Sequence, residues 1–256
     1  ILARHAGVRL TGAYGSAATD QPRRLPALAR RWDGIVEPFD HDRVTASADL
    51  AFLSLPEASS AALAPPLLDA GLRLVDVSGA YRLRDADARR RWYPQAASPL
   101  PAGTVYGLAE RGRAAIAAAR LVACPGCYPT TALLALAPLV DAGLLEAGDL
   151  VVDAKSGLSG AGKAATERTH FCENHGSVAA YGLFSHRHAA EMEQELGRGV
   201  TFVPHLVPLD RGLLATCYAR VRPGTTAEAV AAAFERGYAD APFVRLTGEA
   251  LPEIKH

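Results

Sequence analysis

The chain has 256 residues, with 27 basic and 27 acidic side chains, a formal net charge of +0 and 49% hydrophobic residues. That balance excludes the positive footprint of a nucleic-acid binder and suits a globular protein with a sizeable core. The longest apolar run, residues 131–140, falls short of the ~18–20 residues that span a bilayer, and four cysteines in this length do not make a disulfide framework.

In chain order, residues 8–13 alternate like a strand. Residues 49–55 form a nearly continuous apolar strand ended by Pro56; residues 72–78 and 120–123 form two more. Residues 57–70 are alanine-rich and closed by Gly71, a good helix stop, with Pro65 and Pro66 marking a possible start at the prolines. Strand, helix, strand at this spacing predicts parallel βαβ units. Continuous apolar strands fit a sheet covered on both faces. Farther on, residues 150–154, 199–205 and 213–221 read as strands, and residues 225–238 as a helix capped by Thr225 or Thr226. Long strands with few helices between them predict a mixed or antiparallel sheet. The change between the two halves falls near Cys127. No leader segment is read, so a cytoplasmic protein with free thiols is expected. The start at Ile1 without methionine and the stop at Lys255-His256 make both ends read as cut.

Cys127, in Cys124-Pro125-Gly126-Cys127-Tyr128-Pro129-Thr130, sits between a strand and a helix of about residues 129–140. Pro129 marks the first turn, where its missing N–H costs nothing. The positive helix end then favours thiolate over thiol, and unpaired N–H groups there could hold an oxyanion. Gly126 allows close backbone approach or an unusual dihedral. Against this stands a small buried thiol, the reading kept for Cys124. The Cys-x-x-Cys spacing also fits a redox or zinc site, although zinc wants a second matched pair and Cys172 and Cys217 are isolated. No metal is expected.

Residues 157–163 match the first seven positions of a phosphate-binding loop, but Ala164 stands where magnesium ligation needs Ser or Thr. A glycine-rich loop cradling phosphate or a cofactor remains, beside a P-loop phosphotransferase reading. His186-Arg187-His188 offers proton transfer near neutrality, the partner a cysteine nucleophile needs. Arg82 follows the carboxyl end of a parallel strand, where open α/β sheets bind ligands, and its planar fork suits phosphate or carboxylate.

Together these segments resemble the N-acetyl-γ-glutamyl-phosphate reductases, relatives of aspartate-semialdehyde dehydrogenase. The matching stretches are residues 53–56, 76–82, 105–108, 125–130, 156–162, 186–188 and 204–212. The resemblance implies an α/β fold. A Rossmann-like, parallel-sheet domain over residues 1–126 lacks its first strand and glycine turn. An α+β catalytic and oligomerisation domain with a mixed sheet follows over residues 127–256. It implies a cytoplasmic, NADPH-dependent oxidoreductase of arginine biosynthesis, acting on an acyl phosphate through a cysteine thioester. Partners would be the small-molecule substrate and further copies in a dimer or tetramer, with neither nucleic acid nor membrane.

By matched position, Cys127 is the nucleophile and His186 the acid/base. Ser54, Pro56, Ser78, Ser156, Gly157, Ser159 and Gly160 would touch NADP; Arg82, Arg187, His188, His205 and Arg211 would touch substrate. Two departures stand out. Tyr14-Gly15-Ser16 replaces a Ser-rich stretch, although without an acidic residue that would favour NAD. Ser78-Gly79-Ala80-Tyr81 replaces the usual acidic-aromatic version. Residues 170–177 are also similar to relatives that reduce a carrier-protein-bound aminoadipyl or glutamyl phosphate in lysine biosynthesis, which stand as the alternative substrates.

Overall fold

The computed structural model describes residues 1–15, 21–96, 99–148, 150–162 and 164–254. Ser16 and Lys163, both weighed from the sequence, lie outside the described residues.

After a short 3-10 helix (Leu2–Arg4) come three short strands, β1 (Ala13–Gly15), β2 (Arg23–Arg24) and β3 (Ile35–Pro38). They form a small sheet in which β1 runs parallel to β3 and β2 antiparallel to it. The strand expected at residues 8–13 therefore starts only at Ala13. Register decides this: Ala13 is the first residue opposite β3, facing Val36. Helix α1 (His41–Ser47) follows, with the Asp40 carboxylate accepting from the Arg43 N–H, an ordinary N-cap.

Next come β4 (Leu50–Leu53), α2 (Glu57–Asp69), β5 (Arg73–Asp76), α3 (Ala86–Trp92), β6 (Thr104–Tyr106), α4 (Ala109–Ala118) and β7 (Leu121–Ala123). Strand order is β4-β5-β7-β6, every pair parallel, the βαβ arrangement expected. Leu53, Leu67, Leu74, Tyr81, Leu83 and Leu121 belong to the core between this sheet and its helices.

Helix α2 does not start at its prolines. It runs unbroken from Glu57, with Pro65 and Pro66 inside. Pro65 has no N–H to give the Ala61 carbonyl, and the buried Tyr81 hydroxyl donates to that carbonyl instead, at 3.2 Å. The same substitution recurs farther along. Helix α5 (Cys127–Asp141) contains Pro138, which leaves the Leu134 carbonyl without its helical donor. After α5 come β8 (Leu150–Ser156), α6 (Phe171–Asn174), β9 (Ala179–Ala180), α7 (His188–Leu196), β10 (Val200–Leu206), β11 (Leu213–Tyr218) and α8 (Ala227–Tyr238). The Tyr238 hydroxyl of α8 donates to Leu134 at 2.6 Å.

The second large sheet is mixed, in the order β11-β8-β10-β9. β8 and β10 are parallel, and β11 and β9 are antiparallel to their neighbours. Along β10 burial alternates, so Val200, Phe202 and Leu206 face inward. Val200 and Phe202 join Leu133, Leu136, Val152 and Met192 in a core shared with α5 and α7. Among the described residues no helix is long and apolar enough to cross a membrane.

Candidate active site

Cys127 is the first residue of α5, with Gly126 as its N-cap. Gly126 has φ −65°, an angle any residue adopts, so conformation is not why glycine stands here. Close approach is the reason: a Cβ at Gly126 would lie 2.5 Å from Nε2 of His188. The turn before Cys127 is held at nearly every polar atom. The Cys124 N–H donates to the Asp76 carbonyl at 2.8 Å, and the Cys124 carbonyl accepts from Nε of Arg82 at 2.8 Å. The Gly126 N–H donates to Oε2 of Glu191 at 3.0 Å. The Gly126 carbonyl accepts from Oγ1 of Thr130 at 2.9 Å and from its N–H at 3.0 Å.

Cys127 opens into a cavity of about 310 Å³ lined by Tyr128, Ser156, Gly160, Thr166, Arg168, Tyr181, His186, Arg187 and His188 among others. Burial of the sulfur's surroundings pushes the Cys127 thiol pKa up, while the N–H groups of Tyr128 and Cys127 and the charge of Arg82 pull it down, and burial prevails. The N–H groups at the helix start act in the expected direction, toward thiolate, while desolvation of the charged sulfur acts against them and is the larger effect. Alkylation of Cys127 by iodoacetamide should accelerate with pH through an inflexion above the usual cysteine value of ~8.5. An inflexion below neutrality, located at Cys127 by peptide mass mapping, would contradict this picture.

His186 is neutral at physiological pH. Burial, then the neighbouring Arg187 charge, lowers its pKa from 6.5 to about 4. Its Nδ1 accepts the His188 N–H at 3.2 Å, so the neutral ring carries its proton on Nε2. His188 is buried and depressed further for the same first reason. The two rings lie 4.7 Å apart, and the Tyr128 ring meets both edge-on at 5.6 and 6.0 Å.

The other expected site residues divide. Ser156 lines the cavity, its hydroxyl bonded to the Gly157 carbonyl at 2.9 Å. The glycine-rich loop is tied to residues 209–212: N–H groups of Gly157, Leu158 and Ser159 donate to Gly212, Leu209 and Asp210, and that of Gly160 to Gly157. With these amides engaged, the loop is no phosphate cradle, which removes the support for a P-loop reading. Arg211 belongs to this brace through its backbone, within 2.8 Å of where a Gly157 Cβ would stand. His205 sits with Asp153, Nδ1 to Oδ1 3.2 Å, and is not among the residues lining the cysteine cavity. Ser54 and Pro56 are exposed after β4. Ser78 is turned inward, its hydroxyl donating to Oδ2 of Asp76 at 2.8 Å.

Arg82 is 8% exposed and lines a separate hollow with Arg84, Tyr106 and Glu195. It gives hydrogen bonds to Cys124, to the Val77 carbonyl at 2.9 Å and to Oε1 of Glu191 at 3.2 Å. Arg187 pairs with Glu57 and lies over the Tyr93 ring at 5.1 Å. Two residues escaped the sequence reading. Glu191 belongs to no motif and is one of three acids in residues 191–195, yet it is fully buried. Arg168 lines the cysteine cavity with its guanidinium over the Tyr181 ring at 5.7 Å, and makes no ion pair among the described residues. Position in sequence carries no signal for it. Among the described residues no three His, Cys, Asp or Glu side chains converge as a metal site, and all four cysteines are free thiols.

The profile described as "Semialdehyde dehydrogenase, NAD binding domain" matches residues 1–119, and "Semialdehyde dehydrogenase, dimerisation domain" matches residues 127–256. A protein of Syntrophobacter fumaroxidans named N-acetyl-gamma-glutamyl-phosphate reductase is 43% identical over 255 residues, 97% of this chain and 71% of the relative. One of the same name from Gloeobacter violaceus is 41% identical over 95% of this chain and 73% of its own length. In fold, the chain superposes on Candida albicans aspartate semialdehyde dehydrogenase, solved with NADP, with a TM-score of 0.67. That match has 14% identity and covers 91% of this chain and 70% of the other.

Proposed function

The chain belongs to the semialdehyde dehydrogenase family, among its N-acetyl-γ-glutamyl-phosphate reductases, and from that membership we propose how its residues carry the reaction. The observation that supports the assignment most is the meeting of Cys127 at a helix start with a neutral, Nε2-protonated His186 in one cavity. The reaction is the NADPH-dependent reduction of N-acetyl-γ-glutamyl phosphate to the semialdehyde.

Cys127 attacks the acyl carbon as thiolate, its proton passing to the departing phosphate; the carbon–sulfur bond forms as the bond to the phosphate oxygen breaks. The Tyr128 N–H at the start of α5 stabilises negative charge beside the sulfur. When bound, NADPH supplies hydride to the acyl carbon. Cys127 then leaves as thiolate, and the carbonyl of the aldehyde re-forms. His186 holds a proton at Nε2 through these steps, the proton a departing or developing oxyanion needs. Sulfur suits both halves, as a strong nucleophile and then a good leaving group.

The residues fit the cofactor. Four parallel strands end in register, Leu53 beside Asp76, Asp76 beside Ala123 and Tyr106 beside Ala123, and ligands bind such sheets outside the carboxyl ends. Ser54 and Pro56 would hold it there, Ser78 shaping the end of β5, with Ser156, Gly157, Ser159 and Gly160 facing it from the second sheet. Arg168 holds the substrate's free carboxylate at the cavity wall, a cation paired with no carboxylate among the described residues. Arg187 and His188 line the cavity beside His186, Arg82 supports the turn before Cys127 from behind, and His205 and Arg211 brace the second sheet and its loop. The enzyme works in the cytoplasm as a homo-oligomer, a dimer or tetramer, assembled through residues 127–256.

Phosphate-dependent NADP reduction with N-acetylglutamate semialdehyde tests the assignment, and the same assay on a carrier-bound aldehyde tests the alternative. Activity with the carrier-bound substrate alone would overturn it. Arg168→Met should raise KM for the aldehyde by about 10-fold or more with kcat changed far less, the pattern of a lost binding contact. An unchanged KM would remove Arg168 from the substrate site.

A further inference from the structure

The Glu191 carboxylate takes four hydrogen bonds in a site with no exposure. Oε1 accepts from Nη1 of Arg82 at 3.2 Å and from the Tyr93 hydroxyl at 3.0 Å. Oε2 accepts from the Tyr106 hydroxyl at 2.9 Å and from the Gly126 N–H at 3.0 Å. Arg82 and Tyr93 lie in the connection from β5 to β6, Tyr106 in β6 and Gly126 between β7 and α5, while Glu191 itself rides on α7. A buried carboxylate is tolerated only when its lone pairs are filled in this way. Simple stability would not require that one of the four be the N-cap amide directly before the nucleophile.

We propose that Glu191 is the positioning residue of the nucleophile: by holding the Gly126 N–H, it fixes the turn that aims the first amides of α5 at the Cys127 sulfur. The inference rests on Cys127 being the nucleophile. Gly126 is pressed from the other side by the His188 ring, and Arg82, the partner of Glu191, holds the Cys124 carbonyl. One carboxylate therefore sets both ends of the Cys124-Pro125-Gly126 turn, directly at Gly126 and through Arg82 at Cys124. Loss of this hold lets the N–H groups of Cys127 and Tyr128 turn from the sulfur, where they stabilise thiolate.

Charge and position predict opposite outcomes, which makes the proposal testable. The negative charge of Glu191 by itself raises the Cys127 thiol pKa. Glu191→Gln would then speed alkylation of Cys127 if charge were the residue's influence. Acting through position, the substitution slows it, because an amide cannot accept all four donors. At pH 8 the expected result is alkylation slowed by roughly 3- to 10-fold, kcat lowered by about 10- to 100-fold and KM within about 2-fold. Faster alkylation, or a rise in KM with kcat unchanged, overturns the proposal. If Glu191→Gln fails to fold, Tyr106→Phe removes one donor from the oxygen that holds Gly126 and keeps the ring. It should slow alkylation and turnover together by a few-fold, and no change in either overturns the proposal. Failure of the underlying reading looks different: Cys127→Ser would then keep its turnover, whatever Glu191 does to thiol reactivity.

Discussion

Cys127→Ser is expected to lower turnover by roughly 10⁴-fold or more while the fold survives. The two side chains are nearly the same size, and Cys127 faces the cavity rather than the core, so stability should shift by less than about 0.5 kcal/mol. Chemistry changes far more. A serine hydroxyl ionises well above a thiol, and no base in the cavity compensates: His186 is neutral with its proton on Nε2, and His188 is buried against Arg82. Should an oxygen ester form, it would accept hydride less readily than a thioester. Steady-state NADP reduction with phosphate and the aldehyde, beside a thermal melt, separates the two effects. Turnover within tenfold of the unaltered chain, with an unchanged melt, would remove the thioester from the mechanism.

The second large effect is on stability. Arg82→Met should destabilise the protein by about 3–5 kcal/mol, the range for removing one partner of a buried ion pair. The side chains of Arg82 and Glu191 are 9% and 0% exposed, so water cannot replace the lost guanidinium. The carbonyls of Cys124 and Val77 would lose their donors as well. Arg82→Lys should recover only part of the loss, since an ammonium cannot span Cys124, Val77 and Glu191 as the planar fork does. Urea unfolding midpoints of the three proteins measure this. A midpoint for Arg82→Met equal to that of the unaltered chain would mean that Arg82 is not structural, and would return it to the substrate site for which its position in sequence suggested it.

Glu191 and Arg82 show where sequence reading stops. Arg82 was visible because it follows the end of a parallel strand, a place fixed by local pattern. What it touches was not visible, because Cys124 and Glu191 are 42 and 109 residues away along the chain. Glu191 carried no local mark: three acids occur at alternate positions in residues 191–195, and only the packing of α7 against α5 buries the first of them. The prolines taught the same lesson. A rule about single helices gave Pro65 and Pro66 as a helix start, and hydroxyls from Tyr81 and Tyr238 answered the carbonyls left open by Pro65 and Pro138.

The parallel first sheet, the mixed second sheet and a cysteine at a helix start followed from the sequence by itself, because strand periodicity, helix stops and Pro129 act within a few residues. The sequence also carried the motif spacing that marks the family. Tertiary structure decided which ionisable groups are buried, which amides are taken and which arginine faces the cavity. Those outcomes depend on desolvation and on hydrogen bonds between distant segments, and both exist only once α5, α7 and the strand ends have packed together.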